Sequence, residues 1–166
     1  KRLGIQSPLR PYPALSLGAS DVTLAEMTAA YAVFANEGVR AEPISIQYVE
    51  DRGGDILVEH PVKRTRVLDE NVAYIVTDLM EGVIQHGTGR GAIQMGLKRP
   101  AAGKTGTTND YTDAWFVGYI PHLAAGVWVG FDDPKKSVRK TGSKAALPIW
   151  AQFMIEGARG PVEDFR

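Results

Sequence analysis

The sequence predicts an α+β domain in which an antiparallel sheet packs with helices. Two amphipathic helical segments flank a hairpin-like stretch, three strand-like segments joined by short links follow, and a last helical segment closes the order. Short links favour antiparallel pairing, because parallel strands need long crossover connections. The expected order is therefore helix, hairpin, helix, three strands, helix.

A proline-rich entry precedes the first predicted helix. Residues 4–18 are rich in proline and glycine, which predicts an extended, non-helical segment. Thr23 and Glu26 then form a capping-box pattern, and apolar residues follow at helical spacing until Gly38 provides a left-handed stop. These features predict a helix near 22–36, with its apolar stripe in the core.

A hairpin and a second helix are expected next. Residues 44–49 alternate with period two, 51–54 suit a turn and 55–58 return, which predicts an accessory β-ribbon. Asp69 and Glu70 place negative charge where a helix N-terminus favours it. The broad apolar face of this second helix predicts deep packing of Val72, Ile75, Val76, Leu79, Met80, Val83 and Ile84. The glycines of 87–91 follow this helix instead of preceding it, which argues against a phosphate loop.

The region 101–130 predicts an antiparallel meander. Its second and third strands, 113–120 and 123–130, are apolar on both faces, so we expect both at central positions with Trp115 and Trp128 in the core. The final helix is expected to have Ser143 as its cap and Pro148 in its first turn. The predicted apolar face of that helix consists of Ala146, Ile149, Trp150, Phe153 and Met154.

Composition excludes several classes of function. The 166 residues include no cysteine, which excludes thiol chemistry, disulfides and cysteine-ligated zinc. The formal net charge is zero, and the short basic stretch 135–140 reads as a solvated loop, so no nucleic-acid partner is expected. No apolar run reaches membrane-spanning length. The length fits one domain or most of one.

The segment from Lys104 to Thr107 is the motif that carries chemistry. In a strand, Thr105 and Thr107 share one face while Lys104 takes the other, and Gly106 lets a ligand backbone lie close. Such an edge suits an extended peptide with a free carboxylate. A second Lys-Thr-Gly, 140–142, lies in a basic loop before the final helix, and we interpret it as structural.

With its flanking residues, this motif resembles the third active-site motif of the class A penicillin-binding proteins. The stretch 104–109 and the buried strand 113–119 both match the family in type and order. Further matching stretches, which extend the resemblance over nearly the whole chain, are 7–18, 27–38, 87–89 and 145–150.

The resemblance implies that 1–166 is the C-terminal portion of a transpeptidase domain with a partial β-lactamase/transpeptidase-like fold. Such a serine D,D-transpeptidase cross-links peptidoglycan stem peptides ending in D-Ala-D-Ala, binds β-lactams and needs no cofactor or metal. Lys104 and Thr107 would be catalytic, and the Thr107 N–H would form half of the oxyanion hole. The implied substrate-binding residues are Lys104, Thr105, Gly106, Thr107, Thr108 and Asn109. The parent protein would be anchored in the inner membrane by an N-terminal segment, with this domain on the extracytoplasmic, periplasmic face.

The chain departs from the family pattern in its nucleophile. The S-x-x-K and S-x-N motifs should precede these residues, but no Ser-Xaa-Asn occurs, and the only S-x-x-K is 137–140, which follows the Lys-Thr-Gly in a loop-like context. We therefore expect the N-terminal part of the domain, with its serine, to lie outside this chain. The fragment alone is expected to be inactive and to self-associate through uncovered apolar surface.

Two other functions fit the same residues. One is a serine β-lactamase or β-lactam sensor of the same superfamily, and the other is a non-catalytic structural module. Asn109 and Asp110 either line the substrate cleft or serve a plain turn. The side chains interpreted as surface or loop residues, without metal-ligand spacing, are His60, His86, His122, Asp132 and Asp133.

Overall fold

Helices cover both faces of a small antiparallel sheet in the computed structural model, which describes residues 1–133 and 135–165. The elements, in chain order, are α1 (Leu24–Ala35), β1 (Val39–Ala41), β2 (Tyr48–Glu50), β3 (Ile56–Glu59), β4 (Arg64–Arg66), α2 (Glu70–Gln85), α3 (Gly91–Gln94), β5 (Ala102–Thr107), β6 (Ala114–Ile120), β7 (Leu123–Val129) and α4 (Gly142–Gly157). The predicted α+β class is confirmed.

The meander β5-β6-β7 is the largest sheet in the described part of the chain. Its spatial order equals its chain order, with Lys104 opposite Val117 and Trp115 opposite Trp128. Among the described residues β7 lies at an edge of this sheet and not at the central position expected for it. A strand that is apolar on both faces is covered by helices on both faces. This pattern does not show how many strands lie beside it. Trp128 is 38% exposed, so its predicted core position is also wrong, and Trp115 is only partly buried.

The face of the sheet toward α4 holds the main core. Phe116 and Trp150 are fully buried with ring centroids 4.7 Å apart, and the Trp150 indole N–H donates to the Ala125 carbonyl at 3.2 Å. Gly118 is needed under this indole, since a Cβ there would lie 2.7 Å from Trp150 Cζ2. The close fit fixes α4 against β6 and β7.

The opposite face of the sheet packs against α1 and α2. Tyr119 is fully buried beside Met80 and Ala102, and its hydroxyl lies 2.8 Å from Thr77 Oγ1. Burial raises the pKa of Tyr119 well above its ordinary value, and the hydrogen bond to Thr77 opposes that shift only in part. Tyr119 is therefore a neutral packing residue with a satisfied hydroxyl.

The predicted capping box of α1 is confirmed. The Thr23 side chain accepts from the Glu26 N–H at 3.2 Å, and Glu26 accepts from the Thr23 N–H at 3.1 Å. Glu26 also accepts from the backbone N–H groups of Gln6 and Ser7 and from the Ser7 hydroxyl. The bond from the Ser7 hydroxyl, followed by those from backbone N–H groups, lowers the pKa of Glu26 to about 2. One carboxylate thus joins the entry segment to the start of the helix.

The helix α2 is less deeply packed than its sequence predicts. Ala73, Thr77, Met80 and Ile84 are buried. Three apolar side chains that were expected in the core are instead exposed, by 47%, 57% and 67%: Val72, Ile75 and Leu79. The apolar face is wider than the surface that the described residues offer to cover it.

The helix α4 begins earlier than expected. It starts at Gly142 with Thr141 as the N-cap residue, so Pro148 lies inside the helix and Ser143 is not the cap. The buried face is also rotated, since Ile149 and Phe153 are about half exposed. The buried residues of α4 are Gly142, Ala146, Leu147, Trp150, Ala151 and Met154. Packing against the sheet outweighs the local preference of proline for a first helical turn.

The predicted ribbon is present but shorter than expected. The strands β2 and β3 pair antiparallel, and among the described elements they contact only each other. Beyond the strands, one further backbone bond runs from the His60 N–H to the Gln47 carbonyl at 2.7 Å. A second small pair, β1 with β4, escaped prediction because three-residue strands show too little alternation.

Two further findings concern the ends of the fold. The entry, expected to be free of helix, contains a five-residue 3₁₀ helix at Pro13–Leu17. Pro13 begins it, where a fixed φ suits a helical first turn. None of the helices in the two described ranges is long and apolar enough to cross a membrane.

Candidate active site

The strand β5 runs from the core out to solvent along one edge of the sheet. Ala102 and Gly103 are buried, whereas Lys104 and Thr107 are exposed. A Cβ on Gly103 would lie 2.9 Å from Gly118 Cα, so this half of the strand is packed tightly. The buried half therefore holds a rigid backbone from which the motif side chains project.

The two threonines of the motif contact different parts of the chain from Lys104, as alternation predicts. Thr105 Oγ1 lies 2.8 Å from Thr88 Oγ1, and Thr107 Oγ1 accepts from the Gly142 N–H at 3.0 Å. The Lys104 ammonium donates to the Thr105 carbonyl at 2.9 Å. Its charge therefore lies along the strand edge, next to the backbone that a ligand would approach.

The turn that carries Thr88 is held by glycines. A Cβ on Gly87 would lie 2.9 Å from Val83 Cα, and one on Gly89 would lie 2.9 Å from Ile84 Cδ1. The Gly89 N–H donates back to the Val83 carbonyl at 2.9 Å. These close approaches fold the turn over the end of α2 and present the Thr88 hydroxyl to β5. Sequence reasoning noted this glycine run but not its contact with the motif.

The second Lys-Thr-Gly copy contacts the first. Its Gly142 begins α4, and its N–H bonds the Thr107 side chain. A Cβ on Gly142 would lie 2.5 Å from the Gly106 carbonyl oxygen and would also clash with the Trp115 carbonyl. These contacts agree with the structural role expected of residues 140–142, and they place Gly142 directly against the motif strand. Repetition of the triplet was the signal that could have drawn attention to it.

The loop after β5 is ordered by side-chain hydrogen bonds. Thr108 Oγ1 accepts from the Asp113 N–H at 3.0 Å and lies 2.8 Å from Thr112 Oγ1. The Asp113 carboxylate accepts from Trp128 Nε1 at 2.7 Å and from Thr112 Oγ1 at 2.9 Å. Thr108 therefore has a turn-stabilising role, and Asn109 is exposed in the same turn.

The S-x-x-K at 137–140 lacks the geometry of a nucleophile. Ser137 lies outside any helix, and its hydroxyl bonds the carbonyls of Asp110 and Tyr111 at 2.9 and 3.0 Å. An activated serine needs a base within hydrogen-bond reach and an open approach to substrate. Ser137 instead fastens one loop to another.

The remaining candidates stay on the surface. His60, His86 and His122 are exposed, and His122 Nε2 lies 3.2 Å from the Arg159 carbonyl. Asp132 and Asp133 are exposed loop residues. Across the described ranges, no group of three or more histidine and acidic side chains is arranged to hold a metal ion.

Two clefts lie away from β5. One, of about 360 Å³, is lined by Glu37, Glu70, Asn71 and Tyr74 at the start of α2, and the other, of about 230 Å³, includes Glu163 and Asp164. Their acidic linings would repel a ligand carboxylate. We therefore place the candidate site at the motif strand, where charge and hydroxyl donors suit such a ligand.

A carboxyl group lies close to the second of these clefts. Partial burial, followed by the negative charges of Asp78 and Asp164, raises the pKa of Glu81 above its ordinary value. The shift reflects crowding of acidic groups and does not supply a donor for an anionic ligand.

Comparison with known proteins identifies the family. The family model for the penicillin binding protein transpeptidase domain matches residues 11–155, most of the chain. The chain belongs to the penicillin-binding protein transpeptidase family. The resemblance to class A penicillin-binding proteins inferred from the motif and its surroundings is thereby confirmed.

Curated relatives extend the match over nearly all of this transpeptidase chain. Penicillin-binding protein 1A of Aquifex aeolicus (strain VF5) is 44% identical, covering 99% of this chain and 23% of the relative. Penicillin-binding protein 2D of Bacillus subtilis (strain 168) is 39% identical, covering 98% of this chain and 24% of the relative. The chain thus spans about a quarter of the length of these relatives.

Solved structures of penicillin-binding proteins share the fold. Penicillin-binding protein 1A from Haemophilus influenzae superposes with a TM-score of 0.90 at 28% identity, over 99% of this chain and 31% of that one. The PonA1 protein from Mycobacterium tuberculosis, solved in complex with penicillin V, gives a TM-score of 0.87 at 27% identity, over 99% of this chain and 50% of that one. The predicted transpeptidase-like fold is confirmed.

Proposed function

We propose that this chain forms the carboxylate-binding and oxyanion-hole wall of a serine D,D-transpeptidase. The parent enzyme cross-links peptidoglycan stem peptides that end in D-Ala-D-Ala, and β-lactams acylate it. Lys104 and Thr107 act in catalysis. The groups that contact substrate are Lys104, Thr105, Gly106, Thr107, Thr108 and Asn109.

The observation that carries this proposal is the exposed edge of β5. Lys104 offers a positive charge and Thr107 a hydroxyl on the same short strand, with Gly106 between them leaving the backbone accessible. A charge-assisted hydrogen bond of this kind contributes roughly 1.5–3 kcal/mol. A preorganised backbone donor for an oxyanion, here the Thr107 N–H, contributes roughly 3–4 kcal/mol in comparable sites.

The reaction requires a serine from another part of the parent protein. Its hydroxyl attacks the carbonyl of the penultimate D-Ala, the proton passes through a base to the leaving amine, and the terminal D-Ala departs. An amine of a neighbouring stem peptide then attacks the acyl-enzyme and releases the serine. Because Ser137, the serine of the only S-x-x-K in the sequence, bonds two loop carbonyls and lacks nucleophile geometry, this chain by itself is expected to form no acyl-enzyme.

The proposed setting is the extracytoplasmic, periplasmic face of the inner membrane. The substrate lies there, and we propose an anchor in the parent protein outside this chain. Zero net charge and the family match support a peptidoglycan substrate over a nucleic-acid partner.

Labelling with a fluorescent penicillin tests the proposal. In the full-length protein, Lys104→Ala should slow acylation roughly 10- to 100-fold, the equivalent of one charge-assisted hydrogen bond. Lys98→Ala, at another exposed lysine, is the matched control and should label at the normal rate.

The same experiment separates the alternative functions. Equal labelling of the wild type and Lys104→Ala would leave a non-catalytic structural module. Rapid loss of label from the wild type would indicate a β-lactamase, whereas a long-lived acyl-enzyme is expected of a transpeptidase.

A further inference from the structure

The N-terminus of α4 lies against the motif strand. We propose that Gly142 is a positioning residue, whose backbone N–H orients and polarises the Thr107 hydroxyl so that its hydrogen points toward the ligand carboxylate. This inference rests on the function proposed above. Its starting point is the 3.0 Å bond from Gly142 N to Thr107 Oγ1.

The direction of this hydrogen bond determines what Thr107 can do. A threonine hydroxyl has one hydrogen to donate and two lone pairs that accept. Since the Gly142 N–H occupies one lone pair, the hydroxyl hydrogen remains available for another acceptor. Thr105 Oγ1 lies 2.8 Å from Thr88 Oγ1, and either hydroxyl can be the donor of that bond. Of the two motif threonines, Thr107 is the one whose bond from a backbone N–H fixes its oxygen as the acceptor and leaves its hydrogen for the ligand carboxylate.

Position in the helix adds polarisation. Gly142 is the first residue of a 16-residue helix, and N–H groups of a first turn have no acceptor within the helix. The aligned peptide dipoles concentrate partial positive charge at this end. A donor so placed withdraws electron density from Thr107 Oγ1 and strengthens the hydrogen bond that the hydroxyl itself gives.

The residue must be glycine for reasons of space. A Cβ on Gly142 would lie 2.5 Å from the Gly106 carbonyl oxygen and would clash with the Trp115 carbonyl. Any side chain would therefore push the helix N-terminus away from β5. The distance from the Gly142 nitrogen to Thr107 Oγ1 would lengthen, and the hydroxyl would lose its fixed direction.

The test removes a single N–H while keeping the shape of the chain. Glycolate at position 142 of the full-length protein replaces the amide by an ester. Acylation by benzylpenicillin, which carries a free carboxylate, should slow about 2- to 10-fold, as expected for loss of one hydrogen bond. Acylation by the methyl ester of benzylpenicillin should not change. An equal slowing with both ligands would overturn the proposal, since a merely structural role acts on both.

Two further variants distinguish a failure of this inference from a failure of the proposed function. The same amide-to-ester change at Lys144, whose N–H donates to the Thr141 carbonyl at 2.9 Å, weakens the same helix turn and should leave ligand preference unaltered. In a Thr107→Val background, glycolate at 142 should have no additional effect, and an undiminished effect there would refute the coupling. A wild type that no β-lactam acylates would instead refute the proposed function.

Discussion

The hydroxyl oxygens of Thr88 and Thr105 lie 2.8 Å apart and join the turn after α2 to the motif strand. Thr88 lies between two glycines whose close packing fixes the turn. The turn after α2 therefore supports the strand through Thr105. The N-terminus of α4 supports it through Thr107, which accepts from the Gly142 N–H. Neither support is adjacent to the motif in sequence.

Replacing Thr88 by valine should loosen this support. The change keeps the shape and deletes the hydroxyl, so acylation of the full-length protein should slow about 2- to 10-fold, the effect of one net hydrogen bond. Stopped-flow measurement with a β-lactam checks this. Thr65→Val, at an exposed threonine on β4, is the control. Equal acylation rates for Thr88→Val, Thr65→Val and the wild type would show that the Thr88 hydroxyl does not support the site.

Two aromatic residues of α4 should differ sharply in their contribution to stability. Trp150 is fully buried against Phe116, so Trp150→Ala should lower the free energy of unfolding by about 3–5 kcal/mol. Phe153 is 50% exposed, and Phe153→Ala should cost about 1 kcal/mol or less. Urea unfolding of the chain measures both. Similar losses for the two variants would contradict the assigned face of the helix.

The carboxylate of Glu26 should make the fold sensitive to acid. Its folded-state pKa of about 2 lies below the ordinary value of 4.5 because the ionised form accepts hydrogen bonds from Ser7 and Thr23. Ionised Glu26 therefore stabilises the fold above about pH 4.5, and this contribution is lost as the pH falls toward 2. Thermal melts between pH 6 and 2 measure the loss.

Glu26→Gln provides the control for this pH dependence. Glutamine cannot ionise, so the difference in melting temperature between wild type and variant should be largest near pH 6 and shrink toward pH 2. A difference that stays constant across this interval would show that Glu26 acts only through its shape.

The exposed apolar face of α2 should cause the isolated chain to self-associate. Ile75 and Leu79 are 57% and 67% exposed, and such contiguous surface favours association in water. Leu79→Lys should shift sedimentation toward the monomer, whereas Gln85→Lys, at an exposed polar position of the same helix, should not. A wild-type chain that is strictly monomeric at high concentration would contradict this expectation.

Local sequence signals predicted the elements whose determinants are local. Thr23 and Glu26 stand three residues apart and form their capping box within one helical turn. Gly38 adopts a φ of 87°, as its position after the helix predicts. The alternation of Lys104 and Thr105 follows from strand geometry alone. These features need no knowledge of the rest of the chain.

Local sequence patterns could not predict features that depend on residues far away in the chain. Leu79 has the pattern of a core residue, but its burial requires a covering surface that the described residues do not supply. Pro148 lies inside α4 because Gly142 packs against β5 and β6 and fixes where the helix begins. The contacts of Thr88 and Gly142 with the motif likewise join segments far apart in sequence.

The separation of the β2–β3 ribbon from the other described elements has an evolutionary consequence. Insertions or deletions at the tip between Asp51 and Asp55 should not displace β5, because among the described elements the ribbon strands contact only each other. We expect homologues to differ in the length of this ribbon, and a reporter peptide grafted at its tip should leave β-lactam acylation of the full-length protein unchanged.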